Sequence, residues 1–576
     1  MSNLDTLRDT KNLTQLAFLL EVKPKNLAFI LYRTKPENRY KEFPISKRRG
    51  GFRRILAPSK PLKTVQQRLA ALLADCLHEI EKAEPARARM SHGFHRGRGT
   101  ITNALPHRRA RFVFNIDLVD FFGTINFGRV RGFFIKNRHF RLKPEVATVI
   151  AQIACHENAL PQGSPCSPII SNLIAHSLDT HLASLSKNAG VKYTRYADDL
   201  TFSTTKPRFP SSIAKQALLR RGAWKPSGRL KQALKNAGFG VNPNKTRMEI
   251  RPSRQAVTGL VVNSKLNVSQ AYYRETRAMC HRFFRKGSYN IPGKVEDDGK
   301  TPVRYTDPAR LEGRLAHIYR VRGRLDLPVE RRPEDVIKDA NGVRELYKKL
   351  LNYRYFVGNN RPTIITEGPS DIVYLTEAIR HRLDEFPELG EINDGKLEFG
   401  VRFYRSSRIN RDILGLGEGY GQLPELIRRY RKFIKAFTRH TAPMPVILIV
   451  DNDSGGKKAM TAAAEVSKTN IQFDSTPIWH HITDNLYLLR TPPAVAAPFM
   501  SDMEDLFPQV LQDKEVDGKS FDRKKEHLDD SAFGKIVFAN QVVKRQAKKT
   551  DFDDLVPMLS AIKLIMADLE ARSGRT

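Results

Sequence analysis

The chain has 576 residues, 40% hydrophobic and 28% charged, which excludes a single ordinary core and a disordered tail; roughly two to four globular domains are expected. Its 98 Lys and Arg against 61 Asp and Glu give a net charge of +37, so a polyanionic partner is expected through counterion release, although a basic proteome would give the same balance. Cys76, Cys155, Cys166 and Cys280 are too scattered for a zinc site or disulfide framework, no apolar run nears the roughly 20 residues that span a bilayer, and Met1 to Asn12 lacks a signal peptide's apolar stretch, so a cytoplasmic protein with no membrane partner is expected.

Residues 1–45 carry Leu13, Leu16, Ala17 and Leu20 at helical spacing, which predicts small helices. Next comes Lys47-Arg48-Arg49-Gly50-Gly51-Phe52-Arg53-Arg54-Ile55, where Gly-Gly between cationic flanks suits a hairpin tip and Pro58 and Pro61 end it. A helix follows from about Thr64 to Lys82, and from 111 to 263 short β-rich runs alternate with helices, an α+β pattern. Beyond 265 the chain is helical and basic: Tyr272-Tyr273-Arg274 and Arg282-Phe283-Phe284-Arg285-Lys286 read either as a base-stacking, phosphate-holding face or as aromatic core positions under a solvated basic side. Residues 287–310 are expected to be a loop, followed by a helix with Arg310, Arg314, His317, Arg320, Arg322 and Arg324.

Gly358-Asn359-Asn360-Arg361-Pro362 marks a boundary. After it the pattern is β-α-β: strand Thr363 to Thr366, a helix from Ser370, an amphipathic basic helix over about 423–438, and strand Val446 to Val450, apolar on both faces as in the centre of a parallel sheet. The last 85 or so residues read as mostly helical.

Two segments carry chemistry in the first half. An apolar strand, Arg111 to Ile116, delivers Asp117, with Phe121-Phe122 shortly after; later Tyr196-Ala197-Asp198-Asp199-Leu200 puts adjacent carboxylates between β-formers, the composition of a hairpin turn. Adjacent carboxylates in an apolar hairpin repel unless cations are present, and phosphoryl transfer to a 3′-hydroxyl uses two Mg²⁺ about 4 Å apart. Between them, Leu160-Pro161-Gln162-Gly163-Ser164-Pro165-Cys166-Ser167-Pro168 is a rigid turn at a helix start, whose N–H groups suit an incoming nucleotide or the template.

In this order the segments resemble the reverse transcriptases. The resemblance implies that Asp117, Asp198 and Asp199 are the catalytic, metal-holding carboxylates for two Mg²⁺, and that Phe122 lies under the sugar and excludes a 2′-hydroxyl. It also implies nucleotide contacts by Gln162, Gly163, Arg53, Arg54 and Lys245, the last in Gly240-Val-Asn-Pro-Asn-Lys245. Asn103-Ala-Leu-Pro-His107 and Val257-Thr258-Gly259 are similar to signatures of retron reverse transcriptases, over about residues 10–330. That implies RNA binding at Asn103, His107, Val257, Thr258 and Gly259. The implied partners are dNTPs, a structured non-coding RNA serving as template and primer, and its single-stranded DNA product, primed from a guanosine 2′-hydroxyl. Asn103 and His107 fit equally a buried polar pair bracing the palm.

In the second half, Thr363-Ile-Ile-Thr-Glu367-Gly368-Pro369-Ser370-Asp371 and Val446-Ile-Leu-Ile-Val450-Asp451-Asn452-Asp453 are strands ending in acids, and ligands collect at the carboxyl ends of parallel strands. Glu367 facing Asp451 and Asp453 suits Mg²⁺ or Mn²⁺; each segment alone also reads as a helix cap. Together they resemble the Toprim domain of topoisomerases, primases and OLD-family nucleases, which implies Glu367 as general acid or base, one or two Mg²⁺ or Mn²⁺ on Glu367, Asp451 and Asp453, and a nucleic-acid substrate. Asp484, Glu504 and Asp505 either add acids there or are solvated.

The expected fold is multidomain, α+β and α/β: a right-hand polymerase with fingers and palm at 1–265, a basic helical thumb and connector at 266–357, a Toprim-like α/β domain at 358–490 and a helical extension at 491–576. The whole resembles a retron polymerase with a fused Toprim domain, implying multicopy single-stranded DNA synthesis and a nuclease effector in anti-phage defence; a homo-oligomer is allowed. Two alternatives stand: an inert nucleic-acid- or protein-binding C-terminal module, and a repair-type or mobile-element reverse transcriptase without a dedicated RNA.

Overall fold

The computed structural model describes residues 2–46, 50–85, 90–216, 223–296, 300–323, 341–405, 407–416, 423–435, 437, 444–472, 474–493, 501–523 and 531–574. The hairpin tip at Lys47, Arg48 and Arg49, and Arg324, lie outside these residues. The chain forms two compact units, residues 1–273 with 320–336, and residues 274–319 with 337–576. Among the described residues no helix is long and apolar enough to cross a membrane.

In the first unit, helices Asn3–Asp9 and Leu13–Leu19 start at Ser2 and Asn12, whose side chains accept from the N–H groups of Asp5 and Gln15. The helical expectation for 1–45 fails at its end: Tyr40–Ser46 is a strand, paired antiparallel with Phe52–Pro58 across the Gly50-Gly51 tip. Pro61 does not close this hairpin but opens the next helix, Lys60–Ala83, because a first-turn proline loses no hydrogen bond. That helix buries Leu62, Val65, Leu69, Leu72, Leu73, Cys76 and Ile80, one stripe at 3.6-residue spacing.

The sheet at the heart of this unit is antiparallel. Phe112–Val119 lies between Asp199–Thr204 on one side and Gly240–Val241 with Arg247–Ile250 on the other, and Lys192–Tyr196 forms the outer strand beside Asp199–Thr204. Helix Ser167–Ala189 packs its apolar face into the same core and stops at Gly190, left-handed at φ 65°.

The second unit is built on a largely parallel sheet ordered Arg402–Phe403, Thr363–Ile365, Val446–Val450, Leu486–Arg490, with Trp479–Thr483 antiparallel at the far edge. All five residues of Val446–Val450 are buried, as its two-sided apolarity predicts. Residues 287–310 are not a loop: Tyr289–Val295 and Pro302–Tyr305 pair, with Tyr289 and Tyr305 stacked 5.7 Å apart. Phe283 is fully buried edge-on against Tyr353, and Phe284 meets Phe437, so these two aromatics are core positions and only their basic neighbours face outward. The tail adds two short parallel strands, Ser520–Phe521 and Ala532–Phe533, to its helices. Met503, Phe538, Leu559 and Ile562 share one core with Ile364, Ile447 and Tyr487 of the sheet. The tail is therefore packed as part of that layer.

Candidate active sites

The hairpin register of the first unit sets Asp117 directly opposite Asp199. Asp198 occupies the turn between strands Lys192–Tyr196 and Asp199–Thr204, and Leu118 N–H donates to its carbonyl at 2.9 Å. Asp117 and the adjacent pair Asp198 and Asp199, far apart in the chain, thus meet at one end of the sheet. Asp117 is nearly buried, and its Oδ2 receives Lys245 Nζ at 2.8 Å. Lys245 comes from the short turn Pro243–Lys245, tied down by Asn242 N–H donating to the Asp117 carbonyl.

Charge is crowded here. Burial, then the charges of Asp198 and Asp117, push Asp199 up to about 6, although its side chain opens on the cleft. Asp198 is raised by burial and by Asp117. The bond to Asp117 raises Lys245. Carboxylates that repel one another, with one already holding an ammonium, form a donor set suited to hard cations. As placed, no three Asp, Glu, His or Cys side chains among the described residues form a finished metal cage.

Two clefts meet at these acids. One, of about 1200 Å³, is lined by Asp117, Asp198, Asp199, Arg53, Arg247 and the Thr258-Gly259 turn. The other, of about 530 Å³, is lined by Phe122, Gln162, Arg53, Arg54 and Phe94, and shares Asp117, Asp198 and Lys245 with the first. Gln162 and Gly163 are pinned to the hairpin: Leu56 N–H donates to the Gln162 carbonyl at 2.8 Å. Gly163, at φ 127°, sits where a Cβ would lie 2.5 Å from the Leu56 carbonyl oxygen. Only glycine fits that approach.

Other sequence-predicted residues fall differently. Arg54 lines the smaller cleft but spends its guanidinium on Glu42 (2.8 Å) and Glu157 (2.9 Å), whereas Arg53 faces both clefts. His107 is fully buried, bridging Ser203 Oγ (2.7 Å) and Thr194 Oγ1 (2.8 Å) on neighbouring strands, and burial pushes it down to about 3. Asn103 is fully buried as well, and so is Val257. None of the three offers an edge to an RNA; the bracing alternative fits the geometry of His107, whereas the buried Asn103 amide has no hydrogen-bond partner among the described residues. Thr258 and Gly259, both at positive φ, form the turn that does reach the cleft.

In the second unit, Glu367 and Asp451 leave neighbouring parallel strands, and Asp451 N–H donates to Glu367 Oε1 at 3.2 Å. Asp451 Oδ1 accepts from Thr491 Oγ1 and Met503 N, each at 3.2 Å. Asp453 Oδ1 accepts from Gly456 N–H at 2.8 Å, just ahead of helix Lys457–Ser467, so it also acts as a cap there. Three further residues converge that sequence reasoning missed or left open. Asp371 is buried and accepts from Gly368 N–H at 2.9 Å. Glu504, open between acid and solvated in the sequence, is 1% exposed and receives Tyr374 OH at 3.0 Å and Lys535 Nζ at 2.7 Å. Lys535 also reaches Asp502 Oδ2 at 3.3 Å.

Burial first, then Asp451 and Asp371, push Glu367 up to about 9; burial with Asp371 and Glu504 pushes Asp451 up to about 8. Burial lifts Glu504 to about 7 against the pull of Lys535. Asp371, in the first turn of helix Pro369–His381 just after Glu367, was visible in the sequence; Lys535 had no local signal at all. Asp505 pairs instead with Arg523 at 2.6 Å, and Asp484 sits in the turn before Leu486–Arg490, where it accepts from Thr483 Oγ1.

Comparison with known proteins adds the ancestry. The family described as reverse transcriptase (RNA-dependent DNA polymerase) matches residues 45–287. The retron Ec86 reverse transcriptase of Escherichia coli is 31% identical over 276 residues, 47% of this chain and 78% of that protein. The chain belongs to the retron reverse transcriptases. Two members of that family from Myxococcus xanthus, the retron Mx162 and Mx65 enzymes, are 34% and 33% identical over 48% and 49% of this chain. The chain spans 60% and 65% of their lengths. A solved structure of apo telomerase from Candida tropicalis aligns over 41% of this chain and 56% of that one at 15% identity; its TM-score of 0.28 is too low to bear on the fold.

Proposed function

We propose that this retron reverse transcriptase is an RNA-directed DNA polymerase whose Asp117, Asp198 and Asp199 hold two Mg²⁺. The observation that carries this reading is the register that opposes Asp117 to Asp199 with Asp198 beside them, in clefts lined by Arg53 and Lys245. Bound cations would supply activation of the attacking hydroxyl oxygen and charge relief on the departing pyrophosphate. The chain's own groups do the rest. Arg53 and Lys245 take the triphosphate, Phe122 lies under the sugar, and the Gln162-Gly163 turn, fixed to the fingers hairpin, sets the floor of the nucleotide cleft. The Thr258-Gly259 turn faces the nucleic acid. The template and primer are a partner non-coding RNA, and the product is RNA-linked multicopy single-stranded DNA.

For the second unit the reading is a Toprim-type, metal-dependent nuclease serving as effector in anti-phage defence, with Glu367, Asp371, Asp451, Asp453 and Glu504 around one or two Mg²⁺ or Mn²⁺. Glu367, half-buried, and Asp451, buried, are both held well above the usual carboxylate range and have the need for a cation that such a site implies. One observation favours the alternative, an inert binding module: the Lys535 ammonium is already shared between Glu504 and Asp502.

Purifying the full chain from its native cell and sequencing what comes with it tests the polymerase reading. One abundant RNA covalently joined to DNA is expected; a mixture of cellular RNAs with no joined DNA would overturn it.

A further inference from the structure

Arg195 is charged and, with Arg490, the largest of the fully buried side chains among the described residues. It lies in strand Lys192–Tyr196, two residues before Ala197, which adopts the left-handed region at φ 54°, and three before Asp198. Its Nε and Nη2 donate to the two oxygens of Asp179 at 2.8 and 2.7 Å, a forked pair that fixes the guanidinium plane. The remaining nitrogen, Nη1, donates to Asn172 Oδ1 at 3.1 Å and to the Ala197 carbonyl at 3.2 Å. Tyr193 OH adds a further bond to Asp179 at 2.8 Å.

Asp179 and Asn172 both project from helix Ser167–Ala189, the helix that follows the Gln162-Gly163 turn. Asn172 Nδ2 also donates to the Gly93 carbonyl at 2.7 Å. Gly93 in turn presses on the acidic turn so closely that a Cβ there would lie 2.6 Å from Ala197 N. The segment entering Gly93 runs along the strand, with Arg195 N–H donating to Met90 and His92 N–H to Arg195, at 2.9 and 2.8 Å. One guanidinium therefore ties the helix, the strand and, through Asn172, the Met90–Gly93 segment to the residue that precedes Asp198.

Stability alone is a poor reason for this arrangement. Taking both ions out of water is costly, and apolar residues of like volume commonly serve a core as well or better. A left-handed alanine is strained and persists only where its surroundings hold it. The pair has the geometry of a device for aiming the turn. We propose that Arg195, locked by Asp179, is a positioning residue of the polymerase site: by holding the Ala197 carbonyl it sets the direction in which Asp198 and Asp199 leave the turn. The inference rests on the polymerase reading above.

The test uses the full chain with its copurified RNA and measures kcat, KM for dNTP and the Mg²⁺ concentration at half-maximal synthesis. Two variants are compared: Arg195→Lys, which keeps the charge but lacks a fork plus a third arm, and the double variant Arg195→Met with Asp179→Leu, which replaces the ion pair by apolar groups. A misplaced carboxylate should lower kcat roughly 100-fold in the double variant and about tenfold in Arg195→Lys, with KM within about threefold in both. The Mg²⁺ midpoint rises in both. Wild-type kcat and Mg²⁺ midpoint in a folded double variant overturn the inference. Should that variant fail to fold, Arg195→Lys decides by the same two readouts. Failure of the wild-type chain to make DNA would sink the polymerase reading itself, a different outcome.

Discussion

His107 gives a sharp test of how the palm is braced. Its ring is fully buried between Ser203 and Thr194 and is held at about 3, far below its ordinary value, because burial disfavours the imidazolium. In the unfolded chain it titrates near about 6.5. Above that the ring is neutral in both states and costs nothing. As pH falls from about 6.5 towards 3, the unfolded chain takes up a proton that the folded one refuses, so stability drains away at up to about 1.4 kcal/mol per pH unit. Between pH 7.5 and 4.5 the loss assigned to this one residue is about 2–3 kcal/mol. His107→Gln, which can still bridge the two hydroxyls, should not show it. The assay is hydrogen exchange of the segment 192–204 at both pH values, for wild type and variant, so that every other titrating group cancels. A wild type and variant that lose equal protection on acidification refute the reasoning. A variant that loses RNA affinity at pH 7.5 with full protection would restore direct RNA contact at His107.

Gly163→Ala meets the Leu56 carbonyl and an unfavourable φ together, and should cost about 2–5 kcal/mol locally and raise KM for dNTP, read by exchange in 52–58 and by steady-state synthesis. Lys535→Ala leaves Glu504 buried without its partner; the second unit should lose about 3 kcal/mol or more in urea unfolding, and adding Glu504→Gln should recover most of it. Recovery that fails would mean Lys535 acts through some other group. Glu367→Gln should abolish cleavage and toxicity if the second unit is a nuclease; unchanged toxicity and cleavage would favour the inert module.

Much of this was legible in the sequence, where local pattern decides local structure. Tyr-Ala-Asp-Asp between β-formers is a hairpin turn, and Val446–Val450, apolar on both faces, is a central strand. Glu367 and Asp451 were readable because acids at the ends of neighbouring parallel strands face one another. What stayed hidden depends on contacts between distant segments. Residues 287–310 look like a loop by composition, yet Tyr289 and Tyr305 find each other and make a hairpin. Glu504 and Lys535 sit far along the chain from Glu367, and no spacing rule links them. Arg195 reads as one more cation in a basic protein; only burial beside Asp179 separates it from the solvated ones.

The most direct measurement is DNA synthesis by Asp198→Asn, with RNA binding followed in parallel. Removing one charge from the three-carboxylate cluster should abolish synthesis while RNA affinity stays near wild type, because phosphate contacts come from Lys and Arg elsewhere. Synthesis at the wild-type rate by this variant would contradict the account of the polymerase site.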